Sequence, residues 1–145
     1  DYAEVLAYCI LDNHYHFLIR INDNADLRSS FSRQFGNLIL SYTHYYNAKY
    51  GHSGPVFHRC FKRLLVTEEL YFMLMFWYIH NNPVKHELTN HYTAYKFSSY
   101  KAIIDGRDVL VKPGVSHGPF ESLAHYTEFH RHMYDERILQ DYAME

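Results

Sequence analysis

Between Leu27 and Thr67 the chain contains no aspartate or glutamate, although the whole sequence is slightly acidic, with a formal net charge of -2. The same window carries Arg28, Arg33, Lys49, Arg59, Lys62 and Arg63. Acid collects elsewhere: residues 101–145 hold eight acidic against five basic side chains, a net of -3. One basic face matters more to a polyanion than the total does, so the overall balance does not exclude a nucleic-acid partner. Cysteine is nearly absent. Cys9 and Cys60 are too few for a disulfide scaffold, and a reduced, cytoplasmic protein is the expectation. No run approaches the ~18 uninterrupted apolar residues of a membrane span, and no signal-peptide pattern opens the chain. Repeats, low-complexity tracts and linkers are also missing, so the 145 residues read as one domain with its own core.

What is present is strong periodicity. Residues 4–11 (EVLAYCIL) and 14–21 (HYHFLIRI) read as two strands joined by Asp12-Asn13, which is turn chemistry, hence a hairpin. From Asn24 the period changes. Leu27, Phe31, Phe35, Leu38, Tyr42 and Tyr45 recur at steps of three or four, predicting an amphipathic helix of six to seven turns closed by Gly51. A GHSGP loop (51–55) leads to a β-branched and aromatic strand over 56–66. Thr67 is the expected N-cap of a buried helix over 68–82, which Pro83 should end. A short helix over 96–104, capped by Ser98 or Ser99, should stop at Gly106. A last helix should begin at Pro119 and use Leu123, Tyr126, Phe129 and Met133 as its inner stripe. Together these predict an α+β fold with helices packed on an antiparallel sheet.

Two His-x-His pairs occur, and twelve histidines in 145 positions would produce about one by chance. Geometry separates them. On a strand, His14 and His16 point to one face and can converge on one ion. On a helix, His130 and His132 lie about 200° apart and cannot share a ligand sphere. The other face of the same strand, Tyr15, Phe17, Ile19 and Ile21, is the expected core side.

Four segments carry a resemblance: LDNHYHFLIR (11–20), GPVFHRCFKR (54–63), YIHNNPVKHEL (78–88) and SSY (98–100). In this order and spacing the chain resembles the REP-associated tyrosine transposases, within the single-tyrosine HUH transposases of the smallest bacterial insertion sequences. The resemblance covers about residues 4–101. It implies a ferredoxin-like (RRM-like) antiparallel sheet of HUH endonuclease type, whose usual first strand and helix would precede Asp1. It implies a catalytic domain over 1–104, with 105–145 a C-terminal extension of the same structural unit. Carried over by residue, His14 and His16 match the metal-binding pair, Tyr78 the nucleophile, and Asn82 the polar residue that completes the metal sphere. Tyr78 and Asn82 are i and i+4, on one helix face; Tyr71, two turns earlier, competes for the nucleophile's role. Glu87 stands where the family commonly has glycine, and Phe97 where tryptophan is frequent.

The implied reaction is cleavage and strand transfer of single-stranded DNA through a 5′-phosphotyrosine, with Mg²⁺ or Mn²⁺ as cofactor and repeat hairpins as substrate. Arg59, Lys62, Arg63 and Lys85 are the expected DNA contacts, and Phe57, Phe61 and Tyr100 are candidates for stacking on unpaired bases. The expected location is the cytoplasm, associated with the nucleoid; monomer or homodimer stays open. A non-cutting regulator that binds DNA hairpins and a metal-dependent phosphohydrolase for small substrates are the rival readings, and the basic window favours a polymer over a small molecule.

Overall fold

The computed structural model describes residues 3–21, 25–57, 61–107, 110–111, 119–135 and 137, with residues 25–29 in backbone only. Among them is a small α+β fold, with one two-stranded antiparallel sheet and four α-helices. The chain divides into two compact units, one of residues 1–3 and 21–64, the other of residues 4–20 and 65–145.

The first unit is built on α1 (Ala25–Tyr50), which ends at Gly51 in the left-handed conformation (φ 62°). Phe35 meets Phe61 edge-on at 4.7 Å, and Tyr42 lies against Phe57 at 5.8 Å. The Asn47 side chain organises the loop that follows, its amide nitrogen donating to the Gly54 carbonyl and its oxygen 2.8 Å from His52 Nδ1. Two expectations fail here. Leu38, Tyr42 and Tyr45 are 62, 47 and 58 % exposed, and Phe31 and Phe35 are only half-buried; the side chain of Leu27 lies outside the described residues. The strand expected over 56–66 is also absent from its described residues, 56–57 and 61–66. β-propensity expresses a fit to a pleated, half-buried surface, and here Phe57 and Phe61 find that surface on a helix.

The second unit holds the hairpin. β1 (Ala3–Ile10) and β2 (Tyr15–Ile21) are joined through Asp12 and Asn13, and the Leu11 N–H donates to the His14 carbonyl at 2.9 Å. β1 also uses its other edge: the Ile10 N–H donates to the Phe97 carbonyl, Cys9 pairs antiparallel with Ser98, and Val5 pairs with Val111. Cys9 is fully buried, and desolvation pushes its thiol up to about 12, as expected of a packing cysteine. On β2 the buried residue is Leu18, on the His16 side, whereas Tyr15, Phe17, Ile19 and Ile21 are only half-buried. The core therefore lies on the face opposite to the one expected, because the apolar tyrosine helix covers the histidine side.

That helix, α2 (Glu69–Lys85), starts one residue later than predicted, with Glu68 rather than Thr67 at the N-cap, and passes through Pro83. Proline near a helix end forfeits one ladder N–H, and the turn carries on: the His86 N–H donates to the Asn82 carbonyl and the Leu88 N–H to that of Pro83. What stops the helix is Glu87, the one described non-glycine residue in the left-handed region (φ 58°). A side chain there costs roughly 1–2 kcal/mol, offset in part by the lower chain entropy of a non-glycine residue. Glu87→Gly is thus expected to stabilise the protein by about 0.5–1 kcal/mol. An unchanged or lower urea midpoint would contradict this.

A single 3₁₀ turn (Tyr92–Ala94) and α3 (Ser99–Asp105) follow, the latter capped by Ser98, whose hydroxyl accepts from the Tyr100 N–H, and closed by Gly106 (φ 62°). α4 (Leu123–Arg131) begins after Ser122, whose hydroxyl caps the His125 N–H, and not at Pro119. Tyr126 and Phe129 are buried as predicted; Met133, past the helix end, is 94 % exposed. His130 is buried on α4, while His132 is exposed past the helix end.

At the centre of this unit runs a chain of polar groups whose tautomers follow from one another. His130 Nδ1 lies 2.8 Å from the Tyr126 carbonyl, which only accepts, so Nδ1 carries the proton and Nε2 is the acceptor. His80 Nδ1, 2.9 Å away, must then donate to it, leaving His80 Nε2 to accept from Ser99 Oγ at 2.9 Å. Ser99 in turn accepts from the Tyr8 N–H. Four elements, β1, α2, α3 and α4, are tied together with both imidazoles neutral. Burial forces the same charge state: it lowers His80 well below its ordinary value and His130 to about 4.

Candidate metal and tyrosine site

The hairpin turn and the C-terminal half of α2 bring together His14, His16, Tyr78, Asn82, Lys85 and His86, all within the second unit. The two histidine rings lie edge to face, with centroids 5.1 Å apart. Tyr78 meets the other side of His16 at 5.4 Å, and Lys85 Nζ sits 5.4 Å from the centre of the Tyr78 ring. Tyr71 is 2 % exposed and belongs to the core; Tyr78 is half-buried at the edge of the histidine pair.

Two buried atoms here make no hydrogen bond, His16 Nε2 and Asn82 Oδ1. Unsatisfied buried polar atoms are costly, and each calls for an explanation. Asn82 is held at its other end, its amide nitrogen donating to the Tyr78 carbonyl at 3.3 Å, which leaves Oδ1 as the free acceptor. Desolvation, then the charges of His14, His86 and Lys85, pull the His16 imidazole down to about 4, although the Asn82 amide beside it favours the protonated ring. His16 is therefore neutral at pH 7, the form in which imidazole ligates a metal. Two imidazole nitrogens and an amide oxygen make a mixed donor set that suits a divalent ion such as Mn²⁺. Among the described residues no three His, Cys, Asp or Glu side chains gather into a metal-binding cluster. A site here depends on the asparagine oxygen.

Lys85 stands at the tyrosine site; Lys62 and Arg63 are exposed in the first unit, where Arg63 donates to Ser32 Oγ at 2.6 Å. Arg59 lies outside the described residues. Tyr100 does not have the stacking role suggested for it. It is 5 % exposed, its hydroxyl pushed up to about 12 by desolvation, and it packs on Tyr92, Tyr126 and His130. Phe57 and Phe61 are half-buried against α1.

Sequence reasoning passed over two neighbours of His14. His86 approaches it edge-on at 4.8 Å, and its position eight residues after Tyr78, near the same helix face, was a signal that could have found it. Asn13 holds His14 from the other side, with Oδ1 2.6 Å from Nδ1. Asn13 and His86 also line a pocket of about 200 Å³ with Leu11, Asp12 and Leu88. No helix among the described residues is long and apolar enough to cross a membrane. Comparison with protein-family models, with curated proteins and with solved structures finds no match to this chain, so its function is argued from this geometry and from the sequence motifs.

Proposed function

We propose that the protein cuts and rejoins single-stranded DNA through Tyr78, as a single-tyrosine HUH transposase, with the α+β unit an incomplete ferredoxin-like sheet. The observation that carries this reading is the pair of unsatisfied buried atoms, His16 Nε2 and Asn82 Oδ1, beside a half-buried tyrosine.

His14, His16 and Asn82 would hold a divalent ion that, when bound, withdraws charge from a phosphate oxygen. A tyrosine hydroxyl has a pKa of about 10 and is a poor nucleophile unaided. The Tyr78 oxygen attacks phosphorus and gives up its proton, while the bond from phosphorus to the 3′-oxygen breaks and that oxygen is protonated. A 5′-phosphotyrosine and a free 3′-hydroxyl result, and a second 3′-hydroxyl reverses the step to join strands. Lys85, over the Tyr78 ring, places a cation where the phosphate would lie.

The direct test incubates the protein and Mn²⁺ with a hairpin-bearing single strand labelled on the 3′ side of the expected cut, then denatures it. Label should travel with the protein, and His16→Ala should abolish it. Tight, salt-sensitive hairpin binding without any adduct would instead favour the non-cutting regulator.

A further inference from the structure

We infer that Asn13 is a positioning residue, which holds His14 in the tautomer whose Nε2 faces the metal site. The inference rests on the proposed function only for its consequence, metal affinity; the tautomer itself is a property of the free protein. Asn13 Oδ1 lies 2.6 Å from His14 Nδ1. A carbonyl oxygen only accepts, so Nδ1 carries the proton and the remaining lone pair is on Nε2. Which ring nitrogen ligates a metal is set by the hydrogen bond the other one makes.

The turn does not need an asparagine. Asn13 is outside the left-handed region, where asparagine has an advantage over alanine, and the turn is closed by a backbone bond from Leu11 to His14. Its side chain is exposed, so it fills no core space either. What it does contact is the His14 ring, at Nδ1. His86 abuts the same ring edge-on and restricts its rotation, so that the hydrogen bond and the packing together leave one ring orientation.

Three proteins decide the matter: the natural chain, Asn13→Ala and Asn13→Asp. Long-range ¹H–¹⁵N spectra of the metal-free proteins should show His14 protonated on Nδ1 in the natural chain and in Asn13→Asp. In Asn13→Ala the proton should redistribute to Nε2. Calorimetric titration with Mn²⁺ should show affinity falling about 10–100-fold in Asn13→Ala and restored, or tightened, in Asn13→Asp, with unfolding midpoints alike. An unchanged tautomer in Asn13→Ala overturns the inference, as does equal loss of affinity in both variants, which would mean the turn alone was disturbed. If the natural chain shows the Nδ1 tautomer but takes up no Mn²⁺, the orienting role survives and the metal-dependent reading of the site falls.

Discussion

Tyr78→Phe is expected to lower formation of the protein–DNA adduct by at least about 10³-fold, because it deletes the one atom that bonds to phosphorus. Little else should change. The phenyl ring keeps the edge contact with His16 and the place beneath Lys85, and the Tyr78 carbonyl still accepts from Asn82. Mn²⁺ affinity and the unfolding midpoint should therefore match the natural protein, which separates loss of the nucleophile from loss of the site. Tyr71→Phe is the matched control: its ring is core, two turns away, and the adduct should persist. Adduct surviving in Tyr78→Phe would transfer the nucleophile's role to another residue and remove the main functional claim.

Acid should unfold this protein early, because of the buried histidines. His80 and His130 have folded-state values below the ordinary ~6.5. Between that value and about 4 for His130 the unfolded chain binds more protons than the folded one, so stability rises with pH across the window. The stability is fully present above about pH 6.5 and is withdrawn as pH falls. By pH 4, His130 alone should remove on the order of 3 kcal/mol, and His80 and His16 act in the same direction. Among the described residues no carboxylate opposes this within the cluster, whose ring neighbours include Tyr92, Tyr100, Tyr126 and Phe120. The described ion pairs, such as Arg20 with Glu4 and Arg131 with Glu128, are at the surface and contribute little. His80→Leu should cost roughly 1–3 kcal/mol at neutral pH, since it strands His130 Nε2, while Ser99 Oγ keeps its bonds to the Tyr8 backbone. It should also flatten the pH dependence. Urea midpoints read from Trp77 fluorescence at pH 7.5, 6.5, 5.5 and 4.5 test both statements. A flat series in the natural protein would refute them.

The same network bears on residues 105–145. Tyr126 and His130 of α4 sit at its centre, and the Trp77 indole N–H donates to the His132 carbonyl at 2.9 Å. α4 thus packs behind the helix that carries Tyr78. Nothing in its periodicity said so, because a stripe of Tyr126 and Phe129 predicts burial but not the surface it meets.

Local signals were legible where one residue type settles the backbone. Gly51 and Gly106, both at φ 62°, marked two helix ends, and Ser98 capped α3. His14, one residue before β2, still meets His16 ring to ring, two positions along the chain. The i, i+4 relation put Tyr78 and Asn82 together, and their shared face meets the histidines. Those outcomes follow from periods of two and 3.6 residues, which the order of residues determines without help from the rest of the chain.

Tertiary structure decided the remainder. Which face of β2 is buried depended on α2 lying over it, so Leu18 and the histidines, not Tyr15 and Phe17, face the core. The segment at 56–66 had strand composition but among its described residues no strand edge to pair with, and its phenylalanines packed on a helix. Pro83 stayed inside α2 because later N–H groups continued the turn, until Glu87 broke it. Tyr100 became core when Tyr92, Tyr126 and His130 closed around it. Sequence by itself determined the periodic elements and the candidates for chemistry. Long-range packing decided which of those candidates were buried, paired or left with an unsatisfied atom, because desolvation and hydrogen-bond geometry exist only between elements once they meet.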